Sequence, residues 1–463
     1  MRYISTRGGD RDRSFEDVLL AGLAPDGGLY VPEHWPVLSP DDWRSLRNRD
    51  WSEVAVAVMR PFMGDFLPEA ALGQLIAEAA GTFNHAAVTP LKQLDDSLWL
   101  LELFHGPTLA FKDVAMQILA RLMDIALERR GEKVTIIGAT SGDTGSAAIE
   151  AFRHSRHVEI FILHPHGRVS EVQRRQMTTV HSPNVHNIAI EGDFDDCQAL
   201  VKAMFNDQPF RTRMRLAGVN SINWARILAQ VIYYATAALS LGAPHRPVAF
   251  TVPTGNFGDI FAGYVAWKLG LPIEKLVIAT NVNDILHRAL TTGRYEVTGV
   301  TPTTSPSMDI QVSSNFERLL FDALNRNPAA VRALMDSLAQ ARAFTIPEEA
   351  LAEMNTLFAS GRADEEEVLE EIRRTWRETG EIVDPHTAVG LHVARSHLGP
   401  DHAMISLATA HPAKFPDAVE RAIGQRPALP QRLAHILTDE ERLAVLPNDL
   451  ERVEAFIAER VTG

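Results

Sequence analysis

The stretch VTIIGATSGDTGSAAIEAF, residues 134–152, sets the fold. Val134 to Ile137 is a short run rich in β-branched residues, which reads as a strand. Gly138 to Gly145 breaks that run with glycine, serine and threonine. Gly145 to Phe152 then carries apolar residues at helical spacing. Strand, glycine loop and helix in that order form the repeating unit of a parallel sheet. The same rhythm extends outward. Val158 to Leu163 and Ile188 to Ile190 read as further strands, and Asp195 to Phe205 as a helix. Upstream, an apolar run from Trp99 to Phe104 ends in the turn His105-Gly106-Pro107. A long helix pattern then runs from about Asp113 to Arg130 and stops at Gly131, a natural C-cap position. Downstream, Val248 to Val252 is followed by a glycine loop and a helix through Trp267, and Leu276 to Thr280 and Met404 to Leu407 complete the strands. The expectation is an α/β protein with parallel sheets flanked by helices.

The flanks differ. Residues 1–90 lack the strand–helix alternation. Gly27-Gly28 followed by Leu29-Tyr30-Val31-Pro32 reads as a turn and a short strand, and Trp51 to Ala80 has helical spacing with few breakers. This predicts a mostly helical N-terminal domain over 1–90. Residues 91–425 carry the alternating pattern and are expected to form the main region, with a smaller subdomain over about 100–215 and a larger one over about 216–425. The larger one holds a helical insertion at 282–385. Within it lie a Pro/Thr/Ser-rich segment, Thr301 to Ser307, and a helix pattern from Asp364 to Arg377 with Glu370 and Arg374 spaced to pair. Glu365-Glu366-Glu367 reads as a solvated helix face. Pro427 and Pro430 mark a linker into a helical tail over 426–463.

Composition narrows the function. The 463 residues carry 45 basic and 59 acidic side chains, a net charge of -14, with no basic run. Such a chain repels phosphate backbones, so nucleic acid is not an expected partner. Cys197 is the only cysteine, which excludes an internal disulfide and a cysteine-based metal site; no metal is expected. Met1 to Asp17 lacks the apolar stretch of a signal peptide, and the longest apolar run, Val231 to Ala243, is too short to span a bilayer. The protein reads as cytoplasmic, with no membrane partner.

Seven lysines are present, at 92, 112, 133, 202, 268, 275 and 414. Lys112 stands apart because it follows a Pro107-Thr108 turn and starts a long helix. The positive end of the helix dipole and partial desolvation both favour a neutral amine, the form needed to make an imine. Position alone also fits a helix-starting lysine with its head in water and Asp113 as a cap. Two loops, Gly138 to Gly145 and Thr254-Gly255-Asn256-Phe257-Gly258-Asp259, lie between a strand and a helix. Ligands bind there in parallel sheets, and glycines let an anion approach the free N–H groups of the next helix. Glycines in such places also serve tight turns. Neither loop is a Walker loop or fits the dinucleotide spacing. Together they suggest two anionic groups, a cofactor phosphate and a substrate carboxylate or phosphate.

Pro107-Thr108-Leu109-Ala110-Phe111-Lys112-Asp113 resembles the PLP-lysine motif of the threonine synthases, in the longer bacterial and fungal-type subgroup. Thr140-Ser141-Gly142-Asp143-Thr144-Gly145, Asn220-Ser221-Ile222-Asn223-Trp224-Ala225-Arg226, Thr254 to Gly258, Ser307-Met308-Asp309-Ile310 and Thr409 to Phe415 resemble further motifs of that family, as do Arg2 to Gly8 and Pro25 to Tyr30. They run in order from residue 2 to about 420. The resemblance implies a fold-type II (tryptophan synthase β-like) enzyme using pyridoxal 5'-phosphate (PLP). It would be a carbon–oxygen lyase converting O-phospho-L-homoserine and water to L-threonine and phosphate, the final step of threonine biosynthesis, as a monomer or homodimer.

The resemblance also assigns roles. Lys112 would hold PLP as an imine and serve as the base at Cα. Gly255, Asn256, Phe257, Gly258 and Asp259 would cradle the PLP phosphate, and Thr409 would face the pyridine nitrogen with a neutral hydroxyl. Thr140, Ser141, Gly142, Asp143 and Thr144 would receive the substrate carboxylate. Related enzymes often carry Asn where Asp143 stands, and a carboxylate beside the cofactor's phenolate repels it unless a proton is shared. Arg226, with Asn220, Ser221 and Asn223, would take the substrate phosphate, because a guanidinium makes paired bonds to it. His386 fits helix-start packing. Lys414 is the second candidate for the imine. Two rivals remain: a serine/threonine dehydratase, which needs no site for a substrate phosphate, and a catalytically inactive relative, in which the imine lysine is commonly lost.

Overall fold

The computed structural model describes residues 1–218 and 220–461. The last two residues of the expected C-terminal tail lie outside the described residues. By its internal contacts the chain divides into two units, Met1–Gly106 with Ser221–Pro427, and Pro107–Asn220 with Ala428–Gly463.

The second unit holds the stretch that decides the fold. Its five-stranded sheet has the spatial order Ala444–Pro447, Val185–Glu191, Val158–Pro165, Val134–Ala139, Leu216–Ala217, all parallel. The three of these strands that the sequence pattern marks run two to four residues longer than marked. Helices Asp143–Phe152 and Phe194–Asn206 follow two of them. Phe161, Leu163, Ile188 and Ile190 pack with Cys197, Leu200, Val453 and Ile457 in one apolar cluster. Residues 428–461 therefore belong to this sheet and its cover. The stretch expected to be a helical tail also carries a strand, Ala444–Pro447, paired in register with Ile188 to Glu191.

The first unit holds a six-stranded sheet in the order Phe358–Arg362, Ile273–Thr280, Val248–Pro253, Ala403–Ala408, Leu98–Glu102, Leu91–Gln93. All neighbours are parallel except the last pair. The chain leaves Val248–Pro253 toward Ile273–Thr280 and returns much later to Ala403–Ala408 on the other side. The connections diverge there, and the carboxyl ends of those two adjacent strands flank a switch point where ligands bind in open α/β sheets. Helix Trp224–Ser240 packs on helix Gly258–Lys268. It is buried almost all round, as an apolar helix in a large core must be. The N-terminal segment is helical over Trp51–Met63 and Glu69–Ala80 and opens with a small antiparallel pair, Tyr3–Ser5 and Tyr30–Pro32. Helix Glu365–Thr379 starts with a capping box on Asp364. Its charge pairing differs from the expected one: Glu370 meets Arg373 and Arg377, while Arg374 pairs with Glu378.

Candidate active site

In the second unit, Lys112 is the first residue of helix Lys112–Arg130, which ends at Gly131 in the left-handed conformation. No side chain caps its start. Asp113 turns back instead, accepting from the backbone N–H of Thr108 at 2.8 Å and its hydroxyl at 2.6 Å. This locks the turn before the lysine, in which Leu109 adopts φ 63°. The amine is not in open water: Lys112 is 9% exposed, with Nζ 3.5 Å from Asp143 Oδ2. Sequence position left a solvated head group open, and burial removes that option.

The 140–145 loop in this unit braces itself. Thr140 Oγ1 accepts from the N–H groups of Gly142 (3.0 Å) and Gly145 (2.9 Å), so its side chain serves the turn. Gly142 has φ 141°, and a Cβ there would lie 2.5 Å from Gln173. Gln173 Nε2 donates to Asp143 Oδ1 at 2.9 Å. The Asp143 carboxylate thus has one oxygen on an amide and the other facing Lys112. The N–H groups of Ser141 and Thr144 find no acceptor among the described residues. Asn220, the last residue of this part of the chain, is exposed.

In the first unit, the 254–259 loop leaves the Val248–Pro253 strand and starts helix Gly258–Lys268. Phe257 at its N-cap is left-handed, φ 62°, and no side chain caps the helix. The N–H groups of Gly255, Asn256, Phe257, Gly258 and Asp259 find no acceptor among the described residues. Five successive orphan donors at a helix start fit a phosphate. The Asp259 side chain turns away. Its Oδ1 accepts from the Tyr233 hydroxyl at 2.5 Å and the Tyr234 hydroxyl at 3.0 Å, and burial pushes its carboxyl up to about 7 against those two hydrogen bonds. Only the backbone of Asp259 is available to an anion. Thr409 is buried directly after Ala403–Ala408, the strand next to the one that feeds the loop.

Arg226 lies in the first turn of helix Trp224–Ser240. It is buried, and its Nε and one terminal nitrogen have no partner. Burial lowers its guanidinium to about 10, so it stays charged at neutral pH. An unpartnered buried cation costs several kcal/mol, of order 3–5, and calls for an anion. Asn223 does not share that task in the structure. Its Oδ1 caps the helix through the Ala225 N–H and its Nδ2 donates to the Leu19 carbonyl, both at 2.9 Å. Ser221 contributes its carbonyl to Asn315.

His386 packs at its helix start as expected, Nδ1 at 2.7 Å from Asp384. It also receives the Ser307 N–H at 3.2 Å on Nε2. Sequence reasoning missed Gln173, Ser313, Asn315 and Arg318. A Ser-Ser-Asn run before an apolar helix looks like ordinary capping, and nothing local shows which carbonyls it reaches.

The profile described as pyridoxal-phosphate dependent enzyme matches residues 82–361. That span holds Lys112, both loops and Arg226. A row of N–H donors without acceptors at a helix start suits a cofactor phosphate, and the protein is a fold-type II PLP-dependent enzyme. The flanks carry the finer distinction. Residues 2–80 match the threonine synthase N terminus and residues 387–457 the threonine synthase C-terminal region. The chain is 56% identical to a threonine synthase of Pseudomonas aeruginosa over 461 residues, 99% of this chain and 98% of that one. It superposes on a crystal structure of PLP-bound threonine synthase from Brucella melitensis with a TM-score of 0.99 at 56% identity, covering 100% of both chains. For the yeast threonine synthase structure the TM-score is 0.95 at 40% identity, covering 99% of this chain and 98% of that one. The chain belongs to the threonine synthase family, and its function is threonine synthesis as a PLP-dependent lyase.

Proposed function

We propose that this chain converts O-phospho-L-homoserine and water to L-threonine and phosphate with Lys112 as both cofactor anchor and proton carrier. When bound, PLP supplies the electron sink that makes protons near the substrate nitrogen acidic. Lys112 takes and returns the proton at Cα. Its burial at an uncapped helix start supports that role, because a desolvated amine is a better base toward carbon than a hydrated one. The N–H groups of residues 255–259 hold the cofactor phosphate, and Thr409 meets the pyridine nitrogen. The N–H groups of the 140–144 loop receive the substrate carboxylate. Asp143, tied to Gln173, keeps one oxygen for a shared proton. Arg226 binds the phosphate that leaves from Cγ and stabilises its growing charge. Asn220 and Ser221 complete that shell, whereas Asn223 acts by capping the helix that presents Arg226. Water adds at Cβ.

The observation that carries this reading is the unpartnered, buried guanidinium of Arg226. A dehydratase acting on serine has no substrate phosphate to place there. Phosphate release from O-phospho-L-homoserine, compared with ammonia release from serine, tests it. Phosphate release must dominate; ammonia release from serine as the faster reaction would reject it.

The proposal extends to setting and assembly. The chain works in the cytoplasm as a monomer or homodimer without nucleic acid. Its net charge of -14 speaks against a nucleic-acid partner, and among the described residues no helix is long and apolar enough to cross a membrane. The proposed division is residues 1–90, 91–425 and 426–463, the last of which completes the five-stranded sheet of the second unit.

A further inference from the structure

The 254–259 loop does not hold its own shape. Two of its carbonyls are gripped from behind by a segment far along the chain. The Ser313 hydroxyl donates to the Gly255 carbonyl at 2.7 Å. Asn315 donates twice to the Asn256 carbonyl, from its side-chain amide at 2.8 Å and from its backbone N–H at 3.1 Å. Both peptide units are trans. In a trans unit the C=O and the following N–H point in opposite directions. Gripping the Gly255 and Asn256 carbonyls therefore fixes the N–H groups of Asn256 and Phe257 on the opposite side.

The left-handed backbone of Phe257 makes successive N–H groups converge, the geometry of an anion nest. A left-handed aromatic residue costs about 1–2 kcal/mol, so something must hold it. Its ring packs edge-on against Phe316 at 5.3 Å, one residue beyond Asn315.

The grip is itself anchored. Asn315 Oδ1 accepts from Arg318, which is buried and donates to the Tyr30 carbonyl at 2.9 Å and the Ile222 carbonyl at 2.6 Å. The Asn315 amide also reaches the Ser221 carbonyl at 3.1 Å. One side-chain pair thus braces both the 255–259 loop and the 221–222 backbone just before Arg226.

We infer that Ser313, Asn315 and Arg318 are positioning residues that hold the loop's N–H groups toward the cofactor phosphate and fix the Ser221–Ile222 backbone to the same frame. This rests on the reading that residues 255–259 bind that phosphate. The segment lies inside the 282–385 insertion, and the inference gives that part of it a role.

The test uses apo-protein titrated with PLP and with pyridoxal, which has the aldehyde but no phosphate, followed by the absorbance of the imine. Losing one neutral hydrogen bond of this kind changes affinity roughly three- to tenfold. Ser313→Ala is expected to weaken PLP by about that factor and Asn315→Ala by about tenfold or more, with pyridoxal affinity unchanged in both. Equal losses for PLP and pyridoxal, or no loss for either, would overturn the inference. Should Asn315→Ala fail to fold because Arg318 loses its partner, Ser313→Ala decides alone. Gly255→Ala separates the inference from its premise, because its Cβ would lie 2.7 Å from the Ser307 carbonyl and must move the loop. If Gly255→Ala keeps the preference for PLP over pyridoxal, the loop does not hold the phosphate. If Gly255→Ala abolishes the preference and Ser313→Ala does not, the loop reading stands and the brace is wrong.

Discussion

The 140–145 and 254–259 loops are written in the same grammar: a strand, a turn rich in glycine and hydroxyls, and a helix without a side-chain cap. Their construction differs. The 140–145 loop is braced from within by the Thr140 hydroxyl and has a carboxylate, Asp143, inside it. The 254–259 loop is braced from outside by Ser313 and Asn315 and presents backbone donors alone, its one carboxylate turned onto two tyrosines. A self-braced loop with a titratable side chain suits a site where a substrate comes, reacts and leaves. An externally braced row of N–H groups suits a phosphate that stays. Similar strand–loop–helix motifs are thus held in different ways, one by a hydroxyl within the loop that accepts from its N–H groups and the other by distant side chains that hold its carbonyls.

The largest effect should come from the amine beside Asp143. Lys112→Ala is expected to cut phosphate release from O-phospho-L-homoserine on the order of 10³-fold or more. Near-normal turnover would detach the 140–145 loop from the chemistry. Arg226→Met asks whether the substrate phosphate has a site outside both loops. A fall in kcat/KM of about a hundredfold is expected, as for lost charge-assisted bonds of ~1.5–3 kcal/mol each. Thermal unfolding of the same variant without substrate should move upward, because a buried unpaired cation has been removed. A lower melting temperature would mean that the guanidinium is satisfied in the free protein.

Gly142→Ala strikes the self-braced loop. Its Cβ would displace Gln173 from Asp143 at a backbone angle that disfavours side chains. We expect KM for O-phospho-L-homoserine to rise by roughly tenfold, from a strain of about 1–3 kcal/mol, with PLP affinity unchanged. Equal losses in both would erase the division of labour between the loops.

Asp259 acts on stability rather than on turnover, and its effect depends on pH. Its folded value of about 7 lies above the ordinary 3.8, so the fold favours the protonated carboxyl. The destabilising contribution is absent below about pH 4, grows as pH rises toward 7 and is complete above it. Between those limits stability falls by roughly 1 kcal/mol for each step of one in pH. Asp259→Asn keeps an acceptor for the tyrosines and should flatten that slope in urea unfolding measured at pH 5 and pH 8. An unchanged slope would show that Asp259 stays ionised.

Much of this was legible in the sequence because strands and glycine loops are local. Val134 to Ile137 and Val248 to Val252 announce themselves by β-branching, and the loops follow at once. Lys112 was singled out by its turn and helix, but position alone also fitted a solvated lysine, and its expected role came from the resemblance of residues 107–113 to a family motif. The outer brace was hidden because Ser313 and Asn315 lie 58 and 59 residues from the carbonyls they hold, and hydrogen bonds across such a distance leave no periodic mark. Side-chain orientation was hidden too. Asn223 and Thr140 look like ligand-binding groups, yet their polar atoms are taken up by a helix start and a turn. The strand Ala444–Pro447 was missed because four residues ending in proline carry little pattern.

Borohydride reduction of the PLP-loaded protein, followed by proteolysis and mass mapping, tests the assignment on which both loops' roles depend. The pyridoxyl mass is predicted on the peptide containing Lys112. A label on the buried Lys414 or on any other lysine, or no label at all, would contradict it.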